Sequence, residues 1–117
     1  MSSDDEGVRK HEAALEGLVL VHARYLRDNP GTPPLSGAGV SISTNVDDEP
    51  WMTIPAMLRA GRGDAEDVAC WRAAELRAAG KKASVVVRRM PGAFRGYLTV
   101  TLVTDEGEVD LRDIARS

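Results

Sequence analysis

The sequence predicts an α+β fold, with N-terminal helices packed on a small antiparallel β-sheet, and three observations predict it. Apolar residues at three-and-four spacing run through the first quarter of the chain. Alanines crowd the region just beyond its middle, and strict alternation marks the segment after that. The 117 residues fit a single domain, 1–117, of a size that buries about two-thirds of its unfolded surface.

Residues 4–28 read as one long N-terminal helix. Leu15, Leu18, Val19, His22, Tyr25 and Leu26 share one face. Asp4, Asp5 and Glu6 complement the positive end of the helix dipole, and Asn29-Pro30-Gly31 stops the helix. Thr32 to Asn45 is rich in Pro, Gly, Ser and Thr and reads as a loop, within which Val40-Ser41-Ile42-Ser43 is a candidate edge strand. A short helix is expected from Pro55 to Ala60, with Pro55 in the first turn and Gly61 as terminator.

The third helix is the central one. Asp64 is a good N-cap, and Asp67 three positions on approximates the acidic half of a capping box. Alanines recur from Ala65 to Ala79, and Gly80 ends the run. Ser84 to Arg89 reads as a β-branched strand and Met90 to Gly96 as a Pro/Gly turn. Tyr97 to Val103 alternates, with Leu98, Val100 and Leu102 on one face and Thr99, Thr101 and Val103 on the other. Asp105-Glu106-Gly107 is a hairpin turn before a short returning strand, Glu108 to Leu111. There is no internal repeat.

Composition excludes several function classes. Charged and apolar fractions of 28 % and 43 % are those of a soluble globular protein. A net charge of −3 gives no reason to expect nucleic acid or an anionic membrane as partner. Arg72, Arg77, Lys81, Lys82, Arg88, Arg89 and Arg95 are read as solvated faces. No apolar run approaches the roughly 18 residues of a membrane span, and no signal peptide precedes the acidic start. The single cysteine, Cys70, makes no internal disulfide and reads as a buried structural thiol. Glu66 and Asp67 gather neither histidines nor further carboxylates at ligand spacing, so no metal or cofactor is expected. Trp51 and Trp71 are expected in the core, although a Trp at a cleft rim also anchors partners. His22 reads as a satisfied, partly buried histidine and His11 as exposed.

The stretch Gly61 to Glu75 reads Gly-Arg-Gly-Asp-Ala-Glu-Asp-Val-Ala-Cys-Trp-Arg-Ala-Ala-Glu. It resembles the nucleophile motif of the transglutaminase-like cysteine peptidases, Gly-x-Gly-Asp-Cys-x-Asp, which opens a helix of the form Leu-Ala-x-Trp-Arg-Ala-Ala-Glu-Leu. Further points of similarity to the phage-encoded members run from about Leu26 to the end. They are Pro33-Pro34-Leu35, Gly39-Val40, and Trp51, Ile54, Pro55 and Leu58 of a Trp-x-x-Ile-Pro-x-x-Leu segment. The resemblance implies a transglutaminase-like fold with a papain-like core.

It also implies where catalysis would lie, and what is missing. Ala65 stands at the family's cysteine, and a methyl group forms no thiolate, the species that attacks a carbonyl. Leu98, after Tyr97, stands at the histidine that takes the thiol proton. The orienting acid falls at Asp110, with Asp113 the other candidate. Cys70 offers no substitute nucleophile. Five residues on, it has turned about 500° along the helix and points about 140° away from residue 65.

The expected function is therefore a non-catalytic transglutaminase-like pseudoenzyme, a protein-binding or structural module. By the phage resemblance it belongs to a virion or its assembly, with other phage structural proteins as partners, in the phage particle or host cytoplasm. The alternative is an inactivated (Cys→Ala) form of a cysteine peptidase, amidase or transglutaminase acting on peptide amides. Ala65 alone fits a natural loss or an engineered one, and Leu98 beside it favours the natural one. The long acidic-headed first helix is the expected docking element.

Overall fold

The computed structural model describes residues 3–43, 51–90 and 97–109. In chain order these form α1 (Ser3–Asp28), a 3₁₀ turn (Leu35–Gly37), β1 (Ser41–Ser43), α2 (Ile54–Ala60), β2 (Arg62–Asp64), α3 (Ala65–Ala78), β3 (Ala83–Met90), β4 (Tyr97–Thr104) and β5 (Gly107–Val109). Helices precede a three-stranded antiparallel sheet of order β3-β4-β5, so the chain is an α+β protein.

The apolar stripe of α1 determines how it packs. Leu15, Leu18, Val19 and His22 are buried, and Tyr25 and Leu26 are half-buried against the same core. The helix ends at Asp28, where Asn29 Nδ2 donates to the Tyr25 carbonyl at 2.9 Å. Alanine packing is decisive in α3. Ala69, Ala73 and Ala74 are fully buried with Val68, Cys70 and Trp71, so little side-chain volume separates α3 from its neighbours. Gly80 follows with φ 82°, the left-handed conformation that glycine adopts without a Cβ clash.

β3 and β4 pair along their full length, from Ala83↔Thr104 to Met90↔Tyr97. The cross-strand pairs Val85↔Leu102 and Val87↔Val100 are buried, whereas Thr99, Thr101 and Val103 are half-exposed on the other face. Period-two alternation therefore turns one face of the sheet onto the helices. Acidic residues of α1 complete the joint. Glu12 Oε2 accepts the Val87 N–H at 2.7 Å, and Glu16 pairs with Arg77.

Several expectations are corrected. Gly61 to Asp64, read as turn and cap, holds a strand: β2 pairs in parallel with β1 through Ser41↔Arg62, Ile42↔Gly63 and Ser43↔Asp64. Three residues are too short for periodicity, and the partner lies about twenty positions away. The stretch read as a loop contains the 3₁₀ turn, with Leu35 buried and its N–H donated to Glu75 Oε2 at 2.8 Å. α2 begins at Ile54, capped by Thr53, whose hydroxyl accepts the Ala56 N–H at 3.3 Å. Arg77 is not a solvated cation; its side chain is 28 % exposed and bound to Glu16. Arg72 is tied to Glu75 at 3.1 Å. Met90, read as the start of the Pro/Gly turn, is the last residue of β3 and pairs with Tyr97. Residues 91–96 of that turn, Arg95 among them, and residues 110–111 of the returning strand lie outside the described residues.

Candidate functional site

β2 leads directly into α3, so the chain leaves a strand and enters a helix at Asp64. Asp64 is extended (φ −81°, ψ 176°), and its carboxylate accepts the Asp67 N–H at 2.8 Å. Asp67 reciprocates, Oδ2 accepting the Asp64 N–H at 3.2 Å, and the capping box is complete. Asp67 Oδ1 also accepts the Met52 N–H at 2.9 Å, which ties the segment before α2 to the start of α3. Only 1 % of Asp67 is exposed. Burial pushes its carboxyl pKa up against the two backbone donors, and the Asp64 carboxylate pushes the same way.

Gly63 makes this junction possible. A Cβ built there would lie 2.6 Å from Met57 Sδ and 3.0 Å from Met57 Cγ, and Met57 is fully buried. Only the bare backbone allows β2 to pass over α2. Gly61 supplies the preceding reversal with φ 70°.

In front of the α3 N-terminus lies a cleft of about 210 Å³, lined by His11, Asp64, Ala65, Glu66, Val87, Thr99 and Val100. Ala65 sits in the first turn of the helix and puts a methyl group into it. The cross-strand pair Val87 and Val100 forms its apolar wall. Leu98 lies in β4, paired with Arg89 of β3. Asp110 and Asp113 lie outside the described residues.

The cleft also contains a histidine that sequence reasoning set aside. His11, expected to be exposed, is half-buried, with its Nε2 3.3 Å from Glu66 Oε2. Trp51 Nε1 donates to the same oxygen at 2.7 Å, and the His11 and Trp51 rings meet edge to face at 5.9 Å. Glu66 is thus the hub of a polar cluster joining α1, the segment before α2, and α3. A signal for this existed in the sequence. His11 falls four and seven positions before Leu15 and Leu18, so the helical stripe already turned it inward. Trp51, expected in the core, is 36 % exposed at the surface beside the cleft, where its indole N–H finds a carboxylate.

The other two candidates lie elsewhere. Cys70 is fully buried, its thiol donating to the Leu15 carbonyl at 3.6 Å. Burial pushes its pKa up, with the Asp67, Glu66, Asp64 and Glu16 carboxylates adding in the same direction, so the thiolate is strongly disfavoured. His22 is fully buried rather than partly so, and among the described residues neither ring nitrogen has a hydrogen-bond partner. Desolvation lowers its pKa to about 4, opposed by the backbone of Asp67, so the ring is neutral at pH 7. Trp71 Nε1 is likewise buried without a partner among the described residues.

Among the described residues, no group of three or more His, Cys, Asp or Glu side chains is placed to hold a metal ion. Nor, among them, is any helix long and apolar enough to cross a membrane. Fold and site define an α+β protein with a small acidic cleft at a helix N-terminus. The chain matches no family model, no curated protein and no solved structure.

Proposed function

We propose that this chain is a non-catalytic, transglutaminase-like scaffold that serves as a protein-binding or structural module. The observation that carries the reading is the chemistry at residue 65. A cleft opens at the N-terminus of a capped helix, where a thiolate would be stabilised, and the residue offered there is alanine. The one sulfhydryl of the chain is buried against α1. The transglutaminase-like assignment and papain-like core rest on the Gly61 to Leu76 motif. Phage virion or assembly membership, with other phage structural proteins as partners, rests on the same resemblance and is a fold-level analogy.

A second reading is an inactivated copy of a cysteine peptidase, amidase or transglutaminase acting on peptide amides. It is favoured by one observation: His11 lines the same cleft as Ala65, so an imidazole is within the site even with leucine at position 98. The two readings part in one experiment. Ala65→Cys is labelled with iodoacetamide across pH, alone, with Leu98→His, and with His11→Ala. Fast labelling of the single variant with a depressed thiol pKa that His11→Ala abolishes supports the inactivated enzyme. Labelling no faster than a free thiol in every variant supports the degenerate scaffold. Mass spectrometry of purified particles from the source organism tests the virion assignment, and recovery only with unassembled host proteins counts against it.

A further inference from the structure

β3 is an edge strand. In the order β3-β4-β5 it has a neighbour on one side only among the described residues, and its 8 residues make a long margin. An open edge of this kind is a template for another strand. Two contacts fix which groups face outward. Glu12 of α1 takes the Val87 N–H at 2.7 Å, and Arg77 of α3 reaches the Ala83 carbonyl at 2.9 Å. In an antiparallel ladder the N–H and C=O of one residue point the same way, and the sense alternates along the strand. Ala83, Val85, Val87 and Arg89 therefore turn their backbone groups to the open side. Val85 lies midway between the two contacts, and among the described residues nothing takes its N–H or C=O.

We propose that this edge is a latent strand-pairing site for β3 of a second copy, and that Glu12 is the autoinhibitory contact that keeps it shut. The run Val85-Val86-Val87 reads the same in both directions, as a twofold axis through Val86 requires. Antiparallel pairing about that axis sets Val85 opposite Val87 of the second copy, where the two residues exchange both N–H and C=O. Valine favours such cross-strand pairs. Ser84 falls opposite Arg88 and Ala83 opposite Arg89, so no like charges meet directly across the seam.

The Val87 N–H is a central donor of that register, once from each copy. Glu12 occupies this donor, and its carboxylate stands in the line that an incoming strand would take. Pairing therefore breaks the contact and strips water from a charge that gains no new partner. The same residue fastens α1 to the sheet, so moving that part of α1 and opening the edge are one event.

Sedimentation of the full chain from micromolar to millimolar concentration, with amide hydrogen exchange at Val85, tests the proposal. Glu12→Ala removes the carboxylate, and Glu12→Asp withdraws it by one methylene while keeping the charge on α1. Both variants are expected to associate at concentrations about tenfold or more below those the native chain needs. In both, exchange at Val85 is expected to slow as concentration rises, with no such dependence in the native chain. Glu6→Ala, which removes an exposed carboxylate elsewhere on α1, is expected to behave as the native chain does. Glu12 variants that stay monomeric at millimolar concentration overturn the proposal. So does association that leaves Val85 exchange unchanged, because the contact then lies elsewhere. A native chain that already protects Val85 on concentration shows the edge open and overturns it as well. If circular dichroism finds both Glu12 variants unfolded, the contact is a fastening that the fold requires rather than a guard, and the proposal fails.

Discussion

Arg77 grips Glu16 with both prongs of its guanidinium, Nη1 to Oε2 at 2.6 Å and Nη2 to Oε1 at 2.7 Å, while its Nε donates to the Ala83 carbonyl at 2.9 Å. One side chain thereby ties the middle of α1, the last turn of α3 and the first residue of β3. The helical layer is fastened to the sheet at the corner where the chain changes from helix to strand.

Glu16→Gln is expected to cost about 1 kcal/mol or less, because the carboxylate is 45 % exposed and solvent screens the pair. Arg77→Ala should cost more, about 2 kcal/mol, since the Ala83 carbonyl also loses its donor. Arg77 holds the Glu16 carboxyl below its ordinary pKa of 4.5, so the contribution is complete above that pH. It is lost as acid protonates the carboxylate below its depressed folded value. Urea unfolding should show a gap between native chain and Glu16→Gln at pH 7 that closes in strong acid.

His22 acts in a different pH window. Its folded pKa, lowered from 6.5 to about 4, lets the unfolded chain take up a proton that the folded chain refuses. Stability is therefore lost as pH falls from about 6.5 to 4, by roughly 3 kcal/mol at the lower end, and the loss is complete below that. The raised carboxyl pKa of Asp67 works in the opposite sense, so the His22 part is read as a difference between native chain and His22→Leu. That variant removes two buried nitrogens that have no partner among the described residues and is expected to be more stable by about 1–2 kcal/mol at neutral pH. Its advantage should widen at pH 5. A variant less stable than the native chain at both pH values would show that the imidazole nitrogens are satisfied.

Gly63→Ala tests the junction at the cleft. The added methyl must displace a buried methionine sulfur 2.6 Å away, an overpacking expected to cost about 1–3 kcal/mol. Trimming Met57 relieves the clash, so Gly63→Ala with Met57→Ala should be less damaging than the sum of the two single changes. Thermal unfolding of the four species measures the coupling, and strict additivity would count against the close approach.

Cys70 should be silent to thiol reagents in the folded chain. It is fully buried and its pKa is raised, so both access and thiolate fraction oppose reaction. Labelling by iodoacetamide at pH 8 is expected to be slower than in denaturant by on the order of a hundredfold or more, following local opening. This silence is also what allows a sulfur introduced at residue 65 to be read without interference.

The sequence by itself determined the local elements. The Leu15–Val19 stripe, the Asp64 and Asp67 cap, the Gly61 and Gly80 terminators and the alternation from Tyr97 to Val103 each act through neighbours within a few residues, and such effects are written in order along the chain. The alanine that opens α3 at residue 65 was legible for the same reason. Only the tertiary structure decided what meets across long separations. The β1–β2 pairing, the Glu12 contact to Val87, and the meeting of His11, Trp51 and Glu66 at the cleft join residues from distant parts of the chain, and the same packing buries His22 completely. Three-residue strands and lone polar side chains carry no period of their own. Their partners are fixed when the apolar faces of α1, α3 and β3 pack, and the polar groups near those faces then pair with whatever that packing brings within reach.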